Sequence, residues 1–160
     1  MYVGEPVIQK SGLTEFHSYP VVGRDSLGEI ECNRRFSHFY DFRTMLLNRF
    51  PGLYIPPVPK KATTGSKEDA TIRERRYFLD LFVKECCSLK YLAMSKELQV
   101  FLRPQGDLEK LMQKQYKPKL SDVLATYRAT IPVAEVSNNQ TICSSHQIQI
   151  LIIFIGLLRP

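Results

Sequence analysis

Basic side chains are the residues of this sequence whose types and spacing could do chemistry. Arg34 and Arg35 precede an aromatic residue, Phe36, and Lys60 and Lys61 end the proline-rich stretch IPPVPKK. An arginine grips a phosphate through two parallel hydrogen bonds, and an aromatic ring beside it packs on the ring that carries the phosphate. The arginine pair and its aromatic neighbour therefore suit a phosphorylated ring; exposed surface charge is the alternative for the pair alone. Because successive strand residues point to opposite faces, only one of the two arginines can share a face with core groups.

Another basic residue, Arg75, lies on the apolar face of a predicted helix. When the chain is advanced by about 100° per residue, Arg75 falls within the apolar stripe. The stripe consists of Ile72, Leu79, Phe82, Val83 and Cys86. An unpaired buried charge is costly, so this arginine must reach solvent or meet an anion. Two interpretations stay open: an internal salt bridge, for example to Asp41 or Glu31, or a pocket that receives an anionic ligand.

The distribution of charge points to the same part of the chain. The net charge of the 160 residues is +6, yet residues 1–33 carry two basic and five acidic side chains, whereas residues 34–61 carry six basic side chains and one acidic. A local basic excess indicates an anionic partner, namely nucleic acid, a phosphate or an acidic membrane, or else a solvated basic face. No helix with clustered Arg and Lys is apparent, so we expect no nucleic-acid binding.

Catalytic and metal-binding patterns are missing from the sequence. The three histidines are far apart, and no zinc-protease, nucleophile-elbow or P-loop motif occurs. The four cysteines have no C-x-x-C spacing, which fits a reducing cytosol. We therefore expect no enzyme activity, no cofactor and no metal. The first ten residues contain no apolar run, so we expect no signal peptide.

The elements that must position these residues are strands followed by helices. Residues 3–36 read as strands: FHSYPVV and GEIECNRRF are joined by the turn-rich GRDSLG, and an earlier strand is expected near Val7 to Lys10. The period then changes to that of an amphipathic helix capped by Ser37 and stopped by Pro51-Gly52. Its apolar stripe consists of Phe39, Phe42, Leu46 and Phe50.

The proline-rich stretch separates this helix from the next. Proline fixes φ near −65°, so Pro56 to Pro59 should hold a polyproline II shape. The second helix should begin at Asp69 or Thr71 and end near Cys87. One or two short helices follow, with Ser95 as a cap, and two more lie beyond Pro104. After residue 131 no helical periodicity is visible. The final apolar run is nine residues long, which is short of the roughly 20 that a bilayer-spanning helix needs.

Three motifs, in the order and at the separations typical of the family, make the sequence resemble a phox-homology (PX) domain of the sorting-nexin type. They are RRFSHF at 34–39, PPVPKK at 56–61 and TIRERRYFLDLF at 71–82. The resemblance covers residues 3–103, followed by a helical extension at 104–131 and an irregular tail with a short apolar end at 132–160. It implies an α+β fold, in which a three-stranded antiparallel sheet packs against a helical subdomain with a polyproline II crossing between the first two helices.

The resemblance also implies a function and a set of site residues. The family binds phosphoinositide headgroups, most often phosphatidylinositol 3-phosphate, on the cytosolic face of endosomal membranes during protein transport. Arg35 matches the position that grips the 3-phosphate, and Phe36 the ring that packs under the inositol. Lys61 matches the position that meets the 1-phosphate, and Arg75 the one that hydrogen-bonds the 4- and 5-hydroxyls. Relatives often carry Asp at the position of His38.

Two departures from the family pattern bear on membrane attachment. The loop after the proline stretch, ATTGSK, has none of the bulky apolar residues with which relatives enter the bilayer, so insertion should be weak. Many sorting nexins continue into a dimerising helical (BAR) domain, which the tail of this chain does not resemble. We therefore expect a truncated C-terminus, and protein partners or dimerisation through a region that this chain lacks.

Two protein-binding alternatives stay open. The first is a PX-like module that binds protein and little lipid. The second is the P-x-x-P core within Pro56 to Lys61, which could serve as a ligand for an SH3 domain.

Overall fold

The strand Thr14–Asp25 (β3) is the centre of the sheet in the computed structural model, which describes residues 1–60, 68–113 and 120–130. Along one edge it pairs antiparallel with Tyr2–Val3 (β1) and Val7–Ser11 (β2), and along the other edge with Gly28–Arg35 (β4). At one end of the β3–β4 ladder Ser18 lies opposite Arg35, and at the other end Asp25 lies opposite Gly28.

The prediction of an antiparallel sheet in an α+β fold is confirmed, but the prediction of three strands is wrong because the sheet has four. The additional strand, β1, is two residues long and shows no alternation of polarity that a sequence pattern could reveal. It is held by contacts from distant residues. The backbone N–H of Val3 donates to Asp80 Oδ1 at 2.8 Å, and that of Gly4 donates to the Pro20 carbonyl oxygen at 2.8 Å.

The hairpin that joins β3 to β4 is clamped to the helical part of the molecule. Its turn is Ser26-Leu27, and the positive φ of 119° at Gly28 is one that glycine adopts without strain. Arg103 donates to both carboxylate oxygens of Asp25, at 2.6 and 2.9 Å, and to the carbonyl oxygen of Gly28 at 3.0 Å. The hydrogen bonds from Arg103 hold the pKa of Asp25 below its ordinary value.

Six helices follow the sheet in the part of the chain that the structure describes. They are Phe36–Arg49 (α1), Asp69–Ser88 (α2), Lys90–Ala93 (α3), Lys96–Leu102 (α4), Leu108–Gln113 (α5) and Leu120–Thr130 (α6). The predicted second helix and the cap at Ser95, whose side chain accepts from the backbone N–H of Leu98, are confirmed. The prediction of Ser37 as the N-cap of α1 is wrong: β4 runs directly into the helix, so that Arg35 is the N-cap. Among the described helices, none is long and apolar enough to cross a membrane.

Aromatic rings from different elements meet in the core. Phe42 of α1 stacks on Phe101 of α4 with ring centroids 4.4 Å apart, and it meets Phe82 of α2 edge-on at 5.8 Å. The two stripes predicted for α1 and α2 are buried as expected, and Arg75 is the charged residue placed among the second. These contacts pack α2 and α4 against α1, the helix that begins directly after Arg34 and Arg35.

The proline-rich segment is bound to α1 by hydrogen bonds. Arg43 Nε donates to the Pro56 carbonyl oxygen at 2.9 Å, and the Tyr40 hydroxyl donates to the carbonyl oxygen of Pro59. Ile55 is buried and Val58 packs on the core, so one side of the segment is covered. Its polyproline II conformation stays a prediction. Lys61 and the loop that follows, residues 61–67, lie outside the described residues.

The helices beyond Pro104 pack on the rest of the molecule. Leu108 and Met112 of α5 join the core cluster, and the Tyr127 hydroxyl of α6 donates to the carbonyl oxygen of Pro51. Two helices thus lie in the predicted extension, while the domain boundaries at 103 and 131 stay predictions. The predicted irregular tail at 132–160 lies outside the described residues.

Candidate functional site

Arg34 and Arg35 leave β4 on opposite faces, as strand geometry requires. The side chain of Arg34 is buried beneath α4, where Nε and Nη2 donate to the carbonyl oxygens of Phe101 and Leu102 at 2.6 and 3.2 Å. These are the last carbonyls of that helix, which have no partner within the helix itself. Arg34 is therefore a structural residue, and the alternative of exposed surface charge is wrong for it.

Arg35 points to the other face, where it contacts an aromatic ring. Its guanidinium carbon lies 3.6 Å from the ring centroid of Phe16, a residue of β3. The side chain keeps 36% of its surface exposed, so the guanidinium is accessible from solvent. The N–H groups of an arginine lie around the edge of the guanidinium plane, so an arginine above a ring can still donate them to an anion.

Phe36 and Arg75 form a second pair of this kind. The guanidinium carbon of Arg75 lies 4.3 Å from the ring centroid of Phe36, so a residue of α2 covers the first residue of α1. The phenol of Tyr19 lies close to Arg75. Burial raises the pKa of Tyr19 above its ordinary value, and the positive charge of Arg75 opposes that shift.

These side chains line one cavity of about 230 Å³, which we call the basic cleft. Its lining consists of Glu15, Phe16, His17, Tyr19, Arg35, Phe36, Ser37 and Arg75. Three of the four site residues expected from the sequence, Arg35, Phe36 and Arg75, are therefore brought together. The position of the fourth, Lys61, lies outside the described residues.

A groove of about 450 Å³ adjoins the basic cleft at Arg75, which lines both cavities. It runs between the proline-rich segment and α2. Its other lining residues are Pro57, Val58, Pro59, Lys60, Thr71, Glu74 and Phe78. The last described residue of the proline-rich segment, Lys60, thus lies beside the same arginine that faces the basic cleft.

His38 and Glu109 complete the surroundings of Arg35. The backbone N–H of Arg35 donates to His38 Nδ1 at 3.2 Å, which is the back-bond that the third residue of a helix makes to the N-cap. Glu109 Oε1 lies 3.5 Å from His38 Nε2 and 3.6 Å from Arg35 Nη1. Burial lowers the pKa of His38 below its ordinary value, and the neighbouring carboxylate opposes that shift.

Sequence reasoning missed Phe16 and Glu109. The alternation of β3 predicts that Phe16 and Glu15 point to opposite faces of the sheet. Nothing in the sequence pattern, however, pairs Phe16 with Arg35. Glu109 comes from a helix that is far along the chain and carries no motif. In the described ranges no three of His, Cys, Asp and Glu lie close enough to hold a metal ion.

Comparisons with known proteins assign the fold to a family. The family model described as PX domain matches residues 23–105. Sorting nexin-41 of Yarrowia lipolytica is 30% identical over 129 residues, which is 75% of this chain and 22% of that protein. Sorting nexin 1 of Arabidopsis thaliana is 31% identical over 108 residues, which is 63% of this chain and 27% of that protein. The chain thus spans less than a third of the length of these curated relatives.

Two solved structures agree with this assignment. The X-ray structure of a designed CISK-PX domain superposes with a TM-score of 0.54 at 27% identity, covering 64% of this chain and 99% of that one. The cryo-EM structure of the SNX-BAR Mvp1 tetramer gives a TM-score of 0.56 over 96% of this chain and 42% of that one, and its 20% identity bears on the fold alone. The resemblance carried by the three sequence motifs is therefore confirmed, and the chain belongs to the PX domain family, of the sorting-nexin type.

Proposed function

We propose that the basic cleft binds the headgroup of a phosphoinositide, first among them phosphatidylinositol 3-phosphate, and thereby brings the chain to a membrane. The observation that carries the proposal is the meeting of Arg35, Phe36 and Arg75 in one cavity. Two guanidiniums beside an aromatic ring offer planar donors for phosphate and hydroxyl oxygens and an apolar face for the inositol ring. Each charge-assisted hydrogen bond to the headgroup is worth about 1.5–3 kcal/mol.

The four residues have distinct roles in the proposal. Arg35 grips the 3-phosphate, Phe36 packs under the inositol ring, and Arg75 donates to the 4- and 5-hydroxyls. Lys61 meets the 1-phosphate from the end of the proline-rich segment. The hydrogen bonds from Arg43 and Tyr40 that hold this segment support such a role, because a segment that is already ordered loses little entropy when a ligand arrives.

The proposed cellular role is that of a peripheral protein on the cytosolic face of endosomal membranes, acting in vesicle trafficking. The support is the likeness to sorting nexins and to vacuolar protein sorting-associated protein 5 of Saccharomyces cerevisiae, which is 32% identical over 94 residues, 56% of this chain and 14% of that protein. Dimerisation or a protein partner would supply a second contact, because linked binding events strengthen each other.

A PX-like protein-interaction module with little lipid binding is the second candidate. One observation favours it: the guanidinium of Arg35, which would bind the phosphate, already has the carboxylate of Glu109 3.6 Å away. In such a module the cleft would keep this internal ion pair, and the partner would bind elsewhere on the surface.

A headgroup panel on vesicles separates the two candidates. The full chain is sedimented with vesicles that each contain one phosphoinositide, together with the variants Arg35→Ala and Arg24→Ala. Arg24 is an exposed residue of β3 that pairs with Glu29, so its variant removes the same charge away from the cleft. We expect binding to vesicles with phosphatidylinositol 3-phosphate that Arg35→Ala abolishes and Arg24→Ala retains. Absence of binding to every vesicle would favour the protein-interaction module, whereas equal binding to all of them would contradict the preference for phosphatidylinositol 3-phosphate.

A further inference from the structure

We infer that Glu109, a residue of α5, is an internal competitor for the phosphate at Arg35 and pairs with this arginine when no ligand is bound. The inference rests on the proposed function of the cleft. Glu109 belongs to the stretch beyond the 23–105 match to the PX domain model, so it is contributed by the extension and not by the matched domain.

The chemistry of the contact is that of the expected ligand. A carboxylate and a phosphate both accept hydrogen bonds from the edge of a guanidinium, and both neutralise its charge. Glu109 Oε1 lies 3.6 Å from Arg35 Nη1. The two side chains keep 56% and 36% of their surface exposed. The ion pair is therefore weak enough for an incoming anion to displace it, and close enough to oppose that anion until it does.

His38 positions the competing carboxylate. Because its Nδ1 accepts from the backbone N–H of Arg35 at 3.2 Å, the neutral ring carries its proton on Nε2. That nitrogen lies 3.5 Å from Glu109 Oε1, the same oxygen that faces Arg35. The lowered pKa of His38, caused by burial, favours the neutral ring at physiological pH. One histidine thus connects the backbone of the arginine to the carboxylate that neutralises its side chain.

The helix that carries Glu109 is fixed on the core. Leu108 packs on the core cluster and Met112 is buried within it. The side chain of Asp107 accepts from the backbone N–H of Glu109 at 3.0 Å, and the carbonyl oxygen of Asp107 accepts from that of Leu111 at 3.0 Å. The carboxylate is accordingly held beside Arg35 by a helix whose neighbouring residues are packed on the core.

The consequence is a reduced affinity for the headgroup. A phosphate that arrives at Arg35 must displace Glu109 and meets the repulsion of its negative charge, so only the fraction of molecules with a free guanidinium binds at full strength. Removing the charge of Glu109 should therefore tighten binding by about two- to fivefold, the range expected when a half-exposed ion pair no longer competes.

The test titrates soluble dibutanoyl phosphatidylinositol 3-phosphate into the full chain by calorimetry and compares Glu109→Gln with Glu29→Gln. Glu29 is exposed on the β3–β4 hairpin and pairs with Arg24, so its variant makes the same change of net charge away from the cleft. We expect Glu109→Gln to bind two- to fivefold more tightly than the unmodified chain, and Glu29→Gln to bind as that chain does.

Other outcomes would overturn the inference in distinguishable ways. If the unmodified chain binds through Arg35, as the loss of binding in Arg35→Ala would show, and Glu109→Gln binds equally or more weakly, Glu109 is no competitor and the proposed function stands. If neither the unmodified chain nor Glu109→Gln binds the headgroup, the proposed function fails and the competition with it.

Discussion

The guanidinium of Arg75 lies 4.3 Å from the ring of Phe36, and this contact accounts for a charge on the apolar stripe of α2. A cation above the face of an aromatic ring is attracted by the ring electrons, which lowers the cost of partial burial. At Arg75, the face of α2 that is otherwise buried in the core borders the basic cleft. A residue that looks misplaced in the helical pattern therefore marks the position where α2 meets the junction of β4 and α1.

The variant Arg75→Ala should weaken binding of dibutanoyl phosphatidylinositol 3-phosphate by about 10- to 100-fold, the effect of losing one charge-assisted hydrogen bond. The melting temperature should change little, because the arginine lines a cavity and does not build the core. Arg75→Lys is the matched control, since it keeps the charge and loses the planar fork. Loss of folding in Arg75→Ala would instead support the internal salt bridge.

Substitutions of the two neighbouring arginines should have different effects, one on the stability of the fold and the other on headgroup binding. Arg34→Ala should lower the free energy of unfolding by about 1.5–3 kcal/mol, because it leaves the last carbonyls of α4 without the hydrogen bonds of a charged donor. Arg35→Ala should leave that free energy nearly unchanged and remove binding. Urea denaturation of both variants provides the measurement, and a larger loss of stability in Arg35→Ala would contradict the assignment.

The clamp between Arg103 and Asp25 should make stability depend on acidity. The pKa of Asp25 is lowered in the folded chain by its hydrogen bonds to Arg103, so the folded state favours the ionised carboxylate. Its contribution is fully present above the ordinary Asp pKa of about 3.9 and is lost as the pH falls below that value through the folded pKa. In urea denaturation across pH 7 to 2, Asp25→Asn should be less stable than the unmodified chain at pH 7, and the gap should close at the acid end. A gap that is constant with pH would refute the clamp.

Membrane binding by this chain should be weak and sensitive to salt. The loop ATTGSK contains no large apolar side chain, which leaves headgroup contact and surface attraction that is screened over about 8 Å at physiological ionic strength. The double variant Thr63→Leu, Thr64→Phe should strengthen flotation with vesicles and reduce its dependence on salt. Ser26→Leu, in the hairpin at the far end of the β3–β4 ladder, is the control and should change neither. Tight binding of the unmodified chain at high salt would contradict the argument.

Much of the fold could be predicted from the sequence pattern, because the apolar periodicity of a long amphipathic helix indicates which face is buried. The stripes of α1 and α2 predicted the residues that are buried. The charge at Arg75 predicted either an internal salt bridge or a pocket for an anion, and Arg75 lines the basic cleft. Other features depend on partners that a local pattern does not contain. The strand β1 is too short to show a period, and its N–H at Val3 is satisfied by a side chain of α2.

The candidate site divides in the same way. Strand alternation showed that Arg34 and Arg35 must face apart, yet which of them would be buried depended on where α4 ends. The approach of Glu109 depends on how α5 packs on α1, a contact between segments that are far apart in the chain. Local periodicity therefore predicts which side chains share a face of a strand or helix. Which charged residues meet across those faces is decided by tertiary packing.

The central claim is that Arg35 and Arg75 bind one headgroup together. It is tested most directly by nuclear magnetic resonance of the full chain, following the Nε–H signals of its arginines while dibutanoyl phosphatidylinositol 3-phosphate is added. Arg24, which is exposed on β3, and Arg34, which is buried beneath α4, serve as internal controls. We predict saturable shifts of the Arg35 and Arg75 signals with one common dissociation constant and no comparable shift at Arg24 or Arg34. Shifts of equal size at Arg24, or none at Arg35 and Arg75, would contradict the account.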